Sequence, residues 1–273
     1  MNQQEENEFD HSPITREEFG PELSPQEREV FARGLGALND GGIPYLVGGA
    51  FAKHAYTNVW RRTKDLDIYV RPEDVRQALE LLESAGFTTE IPFRQWLAKA
   101  HWEPHFIDII FGTGHGQLRV DDGWFERSKR ATLAGLEVQL APREELLASM
   151  LYVMERDRFD GPEVNHLILQ SENLDWQHVV TLLGKHRLLL LVHLLHFAFV
   201  YPGRASRLPQ ELMAELFADA RAAWQQISNP KAFRGSLLDP FSYVVDVEDW
   251  GYEDRRDLSP LVDEKGTPVD EEE

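Results

Sequence analysis

The chain has 273 residues, 42% of them hydrophobic, enough for one domain or two small ones with a substantial core. It carries no cysteine, which excludes disulfides, thiolate metal sites and a cysteine nucleophile. The net charge of −19 is gathered at the ends: residues 1–23 hold seven acids and one base, residues 246–273 twelve and three, leaving −4 for the middle and no basic stripe of the kind long nucleic acid requires.

In chain order, residues 1–23 read as a disordered acidic tail. Ser24-Pro25-Gln26-Glu27 is a capping box with proline at the first helical position. It opens a helix to about Leu38, closed by Gly41-Gly42. Residues 45–47 form a short apolar strand that stops at Gly48-Gly49, and residues 50–56 are small and helix-forming. Leu66, Ile68 and Val70 then alternate with Asp65, Asp67 and Tyr69, the period of a half-buried strand. A further helix starts at Arg71-Pro72, places Val75, Ala78, Leu79, Leu82 and Ala85 at helical spacing, and ends at Gly86. Residues 87–91 predict a strand, whereas 93–101 are ambiguous, a short helix being one reading.

Residues 105–111 are a strongly apolar strand with one carboxylate, Asp108, in its middle. Residues 112–116 are a glycine-rich turn, 122–128 a short helix, and a strand pair ends with 136–140. After Pro142 the pattern turns helical: 144–158, 163–170, 176–185, 188–200 and 209–227. The aromatic stretch 231–256 predicts a segment packed back on the body, a clasp in preference to a lid, and 258–273 a second disordered acidic tail. The most apolar run, 188–201, is too short to span a bilayer, and the start MNQQEENEF is unlike a signal peptide, so a cytoplasmic protein with no membrane partner is expected.

Chemistry concentrates in the first half. Side chains two apart on a strand share a face, so Asp65 and Asp67 point the same way. Adjacent carboxylates repel unless water or a cation accepts their charge. A pair of Mg²⁺ ions, or Mn²⁺, suits such a site because it takes oxygen ligands and holds phosphates. Each piece has a plainer explanation when taken singly. Gly48-Gly49 could be only a turn, Asp65 and Asp67 the wet face of an edge strand, and Asp108 a core carboxylate paired with an arginine or with His105. Their joint order calls for a shared cause.

That order, a glycine pair, fifteen residues, Asp65-Leu66-Asp67-Ile68, then Asp108 on a later strand, resembles the nucleotidyltransferase superfamily that includes DNA polymerase beta. The basic approach Arg62-Thr63-Lys64-Asp65-Leu66-Asp67 is similar to a branch with abortive-infection and toxin-type transferases, antibiotic nucleotidyltransferases and many uncharacterised bacterial proteins. The stretch running from Met154 through Arg158 and Asp160 to Leu167 also resembles uncharacterised members, so that the likeness covers roughly residues 43–170. With the element pattern it gives an α+β fold: a nucleotidyltransferase-like mixed sheet with flanking helices over 24–141 and an all-α domain over 142–228, with the site expected in the cleft between them; the aromatic composition adds the clasp over 229–257.

The resemblance also implies an activity: Mg²⁺-dependent transfer of a nucleoside monophosphate from a nucleoside triphosphate to a hydroxyl, with release of pyrophosphate. Asp65, Asp67 and Asp108 would hold two metal ions, and Asp108 could also accept the acceptor's proton. Gly48 and Gly49 would let backbone approach the triphosphate, with Lys53, Arg62, Thr63, Lys64 and Arg158 as nucleotide contacts. The acceptor could be a small molecule, a protein side chain or a tRNA end. The alternative is a non-catalytic member of the same fold serving as a regulatory or toxin–antitoxin interaction module. His193 and His196, one helical turn apart, read as a buried hydrogen-bonded pair with no third metal ligand. Arg187 followed by His193 only weakly resembles a small helical ribonuclease signature, Arg156 to Asp160 reads equally well as an ion-pair cluster at a helix end, and no P-loop or dinucleotide fingerprint is present.

Overall fold

The structure is a computed structural model that describes residues 23–225, 231, 233–254, 256 and 258–269. The expected N-terminal tail therefore lies outside the described residues except for Leu23.

Helix α1 (Pro25–Asp40) begins with the capping box: Ser24 Oγ accepts from Glu27 N at 3.2 Å, and Glu27 Oε2 accepts from Ser24 N at 2.7 Å. Strand β1 (Leu46–Val47) leads through Gly48 into α2 (Gly49–Thr57), followed by β2 (Asp65–Tyr69) and α3 (Val75–Ser84). Strands β3 (Thr88–Phe93), β4 (Leu97–Trp102) and β5 (His105–Ile110) form a meander. A small ribbon of β6 (Gly112–Thr113) and β7 (Leu118–Arg119), the short α4 (Asp122–Glu126) and the hairpin β8 (Lys129–Leu133) and β9 (Leu136–Leu140) complete the sheet region.

The main sheet has the order β3-β4-β5-β2-β1-β9-β8. Strands β2 and β5 run parallel at its centre, with Asp67 opposite Asp108. Leu66, Ile68, Ile107 and Ile109 have no exposure; α1 and α3 cover Ile107, where Gly34 of α1 meets Ile107 Cδ1, Phe87 and Leu82. The alternate residues Asp65, Asp67, Tyr69 and Asp108 therefore occupy the opposite face.

Beyond Pro142 come α5 (Arg143–Leu151), α6 (Gly161–Gln170), α7 (Trp176–Leu183), α8 (Leu188–Val200), α9 (Gln210–Gln225) and the short α10 (Val244–Glu248). Helix α5 packs on α6 and α7, and α2 packs on α6, so the helical part closes over the carboxylate-bearing face.

Three expectations need correction. The ambiguous stretch 93–101 contains β4, not a helix; its alanines favour a helix in isolation, but full pairing with β5 from Leu97 to Trp102 decides the matter. The helix expected over 144–158 stops at Leu151. Apolar spacing continues to Met154, yet Met154 bridges to Phe159, and Glu155 N donates to Arg158 O at 2.8 Å, turning the chain in a tight loop. The stretch from Arg156 to Asp160 thus leads into α6 from this loop and does not end α5. The stretch expected as a second disordered tail is structured over residues 258–269. Val262 has no exposure, and Leu261 N and Val262 N both donate to Arg94 O. Residues 270–273 of that stretch lie outside the described residues.

Replacing Ser24 by alanine should remove about 1 kcal/mol of stability, read as a lower urea midpoint at unchanged slope. An unchanged midpoint would mean that the cap contributes nothing.

Candidate active site

Register makes the site. Lys99 on β4 pairs with Asp108 on β5, which pairs with Asp67 on β2, so three charged side chains stand in one row across neighbouring strands. Asp65 lies two residues before Asp67 on the same face. Carboxylate oxygens of Asp65, Asp67 and Asp108 all lie within 4.8 Å of one another.

Each carboxylate is fixed by a neighbour. Thr63 Oγ1 donates to Asp65 Oδ1. Lys99 Nζ donates to Asp108 Oδ1 at 2.6 Å and sits 4.6 Å from the centre of the Phe106 ring. Asp67 lies against the start of α2: a Cβ on Gly49 would fall 1.6 Å from Asp67 Oδ2, and Gly49 has φ +49°. Gly48 is tight for a different reason, since a Cβ there would fall 2.4 Å from the Tyr69 ring. The glycine pair is thus required by the carboxylate and ring of β2 behind it, as well as by the turn itself.

The electrostatics follow from crowding. Asp67 keeps some exposed surface but is packed among protein atoms. Burial, then the charges of Asp65 and Asp108, push its carboxyl up to about 7. Asp108 is also raised by burial, against the opposing effect of its bond to Lys99. Arg158 is held above its ordinary range, first by its hydrogen bonds to Asp160. Those bonds are bidentate, 3.0 Å each, and Asp160 is 2% exposed.

The carboxylates open into a cleft of about 720 Å³. Gly49, Lys53, Arg62, Thr63 and Arg158 line it together with the triad. Gly48 and Lys64 do not. Gly48 N donates to Asp67 O at 2.9 Å, a bond within the fold, while Lys64 is exposed outside the cleft. The sequence reading missed Lys99, whose strand it left ambiguous, as well as Arg61 and Trp96, which also line the cleft. The rival histidine pair is a packing feature: His193 Nε2 lies 3.1 Å from Leu151 O, and His196 Nδ1 lies 3.2 Å from Asn165 Nδ2. Arg187 is paired with Asp219 at 2.5 Å.

Residues 31–200 match the family model described as uncharacterised nucleotidyltransferase. The chain belongs to that family. It is a transferase of the nucleotidyl-transfer class, and its mixed sheet with added helices is the fold this implies. No curated protein matches the sequence. Among solved structures, the antibiotic-resistance factor ANT(2'')-Ia is 16% identical, covering 64% of this chain and 99% of its own, at a TM-score of 0.45. The lincosamide antibiotic adenylyltransferase LnuA is 14% identical over 52% of this chain and 97% of its own, at 0.39. A putative nucleotidyltransferase from Thermotoga maritima is 13% identical over 45% of this chain and 81% of its own, at 0.35. Likenesses this distant say nothing about the substrate here.

The donor set fits a divalent cation: three hard carboxylate oxygen donors converge, and their charge exceeds what Lys99 alone offsets. The metal-free protein should accordingly lose stability as pH rises from about 4 to about 7. An aspartate whose folded pKa is raised binds its proton more tightly when folded, so the folded state is favoured below that window and penalised above it. Unfolding in the presence of a chelator should therefore show Asp67→Asn gaining on the parent across that window, then keeping a constant lead; a lead independent of pH would refute the assignment. Gly49→Ala should destabilise by about 1–3 kcal/mol, from left-handed strain and collision with Asp67. Wild-type stability in that variant would show that the contact relaxes freely.

Proposed function

We propose that the chain moves a nucleoside monophosphate from a nucleoside triphosphate to an acceptor hydroxyl. The observation that carries this reading is the convergence of Asp65, Asp67 and Asp108 beside Gly49, at the mouth of α2, in a cleft that also holds Lys53 and Arg62. Asp65 and Asp67 are the ligands we assign to two Mg²⁺ ions, with Asp108 shared between metal binding and proton acceptance. Bound there, the ions would offset the charge of the triphosphate and of the acceptor oxygen.

The residues of the chain have separate tasks. Gly49 presents a backbone N–H without a Cβ in the way of a phosphate. Lys53, Arg61 and Arg62 offset the charge on the leaving pyrophosphate, Thr63 keeps Asp65 in place, and Arg158, anchored by Asp160, faces the triphosphate near Asp67. The acceptor oxygen bonds to the α-phosphorus, the bond from that phosphorus to the bridging oxygen breaks, pyrophosphate leaves, and the acceptor's proton passes to Asp108. Most of the rate enhancement then comes from positioning and charge compensation. The acceptor is a small molecule, a protein side chain or a tRNA end, and the reaction takes place in the cytoplasm. Among the described residues no helix is long and apolar enough to cross a membrane. A non-catalytic module has no supporting observation, because the carboxylate set is complete and opens to a cleft.

Incubating the protein and Mg²⁺ with each radiolabelled triphosphate and cell extract should yield a labelled acceptor. Asp65→Asn and Asp108→Asn should each reduce labelling at least 100-fold while unfolding at or above the parent's temperature, since each relieves repulsion. Full labelling by either variant would remove the metal assignment.

A further inference from the structure

The cleft has an apolar wall as well as a charged one. Leu146, Ser149 and Met150 stand on one face of α5, spaced three and four apart, and Ile110 lies across from them at the end of β5. A hydrogen bond joins the two sides: Thr113 Oγ1 lies 2.9 Å from Ser149 Oγ. Ser149 Oγ also lies 2.8 Å from Glu145 O, one turn back in its own helix.

These two distances settle where the protons are. A hydroxyl has one proton and two lone pairs. The carbonyl of Glu145 can only accept, so the proton of Ser149 goes to it. Ser149 can then only accept from Thr113, which commits the proton of Thr113 as well. Thr113, partly exposed and lining the cleft, is left with lone pairs alone to offer a ligand. Whatever polar group meets it must be a donor.

A nucleotide's flat apolar part is its base. With the phosphates drawn to the carboxylate-bound metals and to Lys53 and Arg62, the base is the part that gains by leaving water against Leu146, Met150 and Ile110. Ile110 lies two residues beyond Asp108 on β5, about 7 Å along the strand, roughly the length of a ribose. We propose that Thr113, held by Ser149, reads the base of the triphosphate and selects one with an exocyclic amine, adenine or cytosine, over one with a carbonyl at that position. This rests on the nucleotide-transfer reading above and adds the substrate class. An amine donates to the lone pair of Thr113. A carbonyl there sets two acceptors against each other and leaves both unpaired.

Two pairs of triphosphates isolate that group. ATP and ITP differ at the 6-position, CTP and UTP at the 4-position, together with the protonation of the adjacent ring nitrogen. Titration calorimetry of the full chain with Mg²⁺ should give ATP about tenfold tighter than ITP, and CTP about tenfold tighter than UTP. Thr113→Val, which removes the lone pairs at nearly constant volume, should bring both ratios to within about twofold. Ser149→Ala releases the proton of Thr113, which can then turn toward a carbonyl, so it should narrow both ratios by strengthening ITP and UTP. Unfolding temperatures near the parent's would show that both variants are folded. Equal affinities within each pair in the parent would overturn the proposal, as would a preference that survives Thr113→Val; an amine read on the acceptor instead of the base gives the first of these results. Failure of these four and of GTP to bind would refute the nucleotide-transfer reading itself and this inference with it, an outcome distinct from binding without preference.

Discussion

Three carboxylates confined within 4.8 Å are the constraint that the rest of this structure accommodates. Left alone, such a group would splay apart or take up protons. The fold prevents splaying by placing two of them in register on adjacent parallel strands, where backbone hydrogen bonds fix their spacing. It offsets the charge of Asp108 with Lys99 and gives Asp65 a hydrogen bond from Thr63. Among the described residues Asp67 has no such side-chain bond, and burial together with the charges of Asp65 and Asp108 pushes its carboxyl up to about 7. A structure built only for stability would put apolar side chains on this face, as it does at Leu66, Ile68, Ile107 and Ile109 on the other. The unfavourable face is the one that opens to the cleft.

Much of this was legible in the sequence because it depends on local order. The glycine pair, the Asp65-Leu66-Asp67 alternation and Asp108 within an apolar strand can each be read from a few residues. That the three meet could be expected only through the family resemblance; their meeting is a consequence of β2 and β5 being parallel neighbours, which no local pattern encodes. Lys99 escaped notice for the same reason. Its neighbours Ala98 and Ala100 suit a helix, and only pairing with β5 makes Lys99 face Asp108. Gly48 and Gly49 were read as a turn that admits phosphate. The clash of a Cβ with Tyr69 or Asp67 adds a second reason that needs three dimensions.

The helical half shows the opposite failure. Leu146, Met150 and Met154 form a regular apolar spacing, and regularity suggested one long helix with one buried face. In the structure Leu146 and Met150 do stay largely buried, but their edge lines the cleft, and Met154 belongs to the loop that turns back through Phe159. Periodicity reports which residues avoid water. It does not distinguish a core from the apolar side of a binding cleft, since both exclude it. The end of α5 at Leu151 is what frees Arg158 to reach the cleft while Asp160 anchors it from the start of α6.

Each rim of the cleft is also hydrogen-bonded to chain outside the family match, which ends at residue 200. On the helical rim, Asp239 Oδ2 accepts from Arg156 N at 2.8 Å, while Asp239 Oδ1 accepts from Phe241 N and Ser242 N; Asp239 is 3% exposed. On the sheet rim, Leu261 N and Val262 N share Arg94 O, and Gln95 Nε2 donates to Leu258 O at 3.0 Å, next to Trp96 in the cleft wall. Each of these contacts uses a backbone group on at least one side, and two side chains, Asp239 and Gln95, supply the other partner where the backbone does not. These contacts add to the internal bonds of the loop before α6, where Glu155 N donates to Arg158 O and Asp160 N to Val153 O. Asp65, Asp67 and Asp108 thus owe their spacing to the central strands, while residues 239–242 and 258–262 add hydrogen bonds at the rims of the cleft before them.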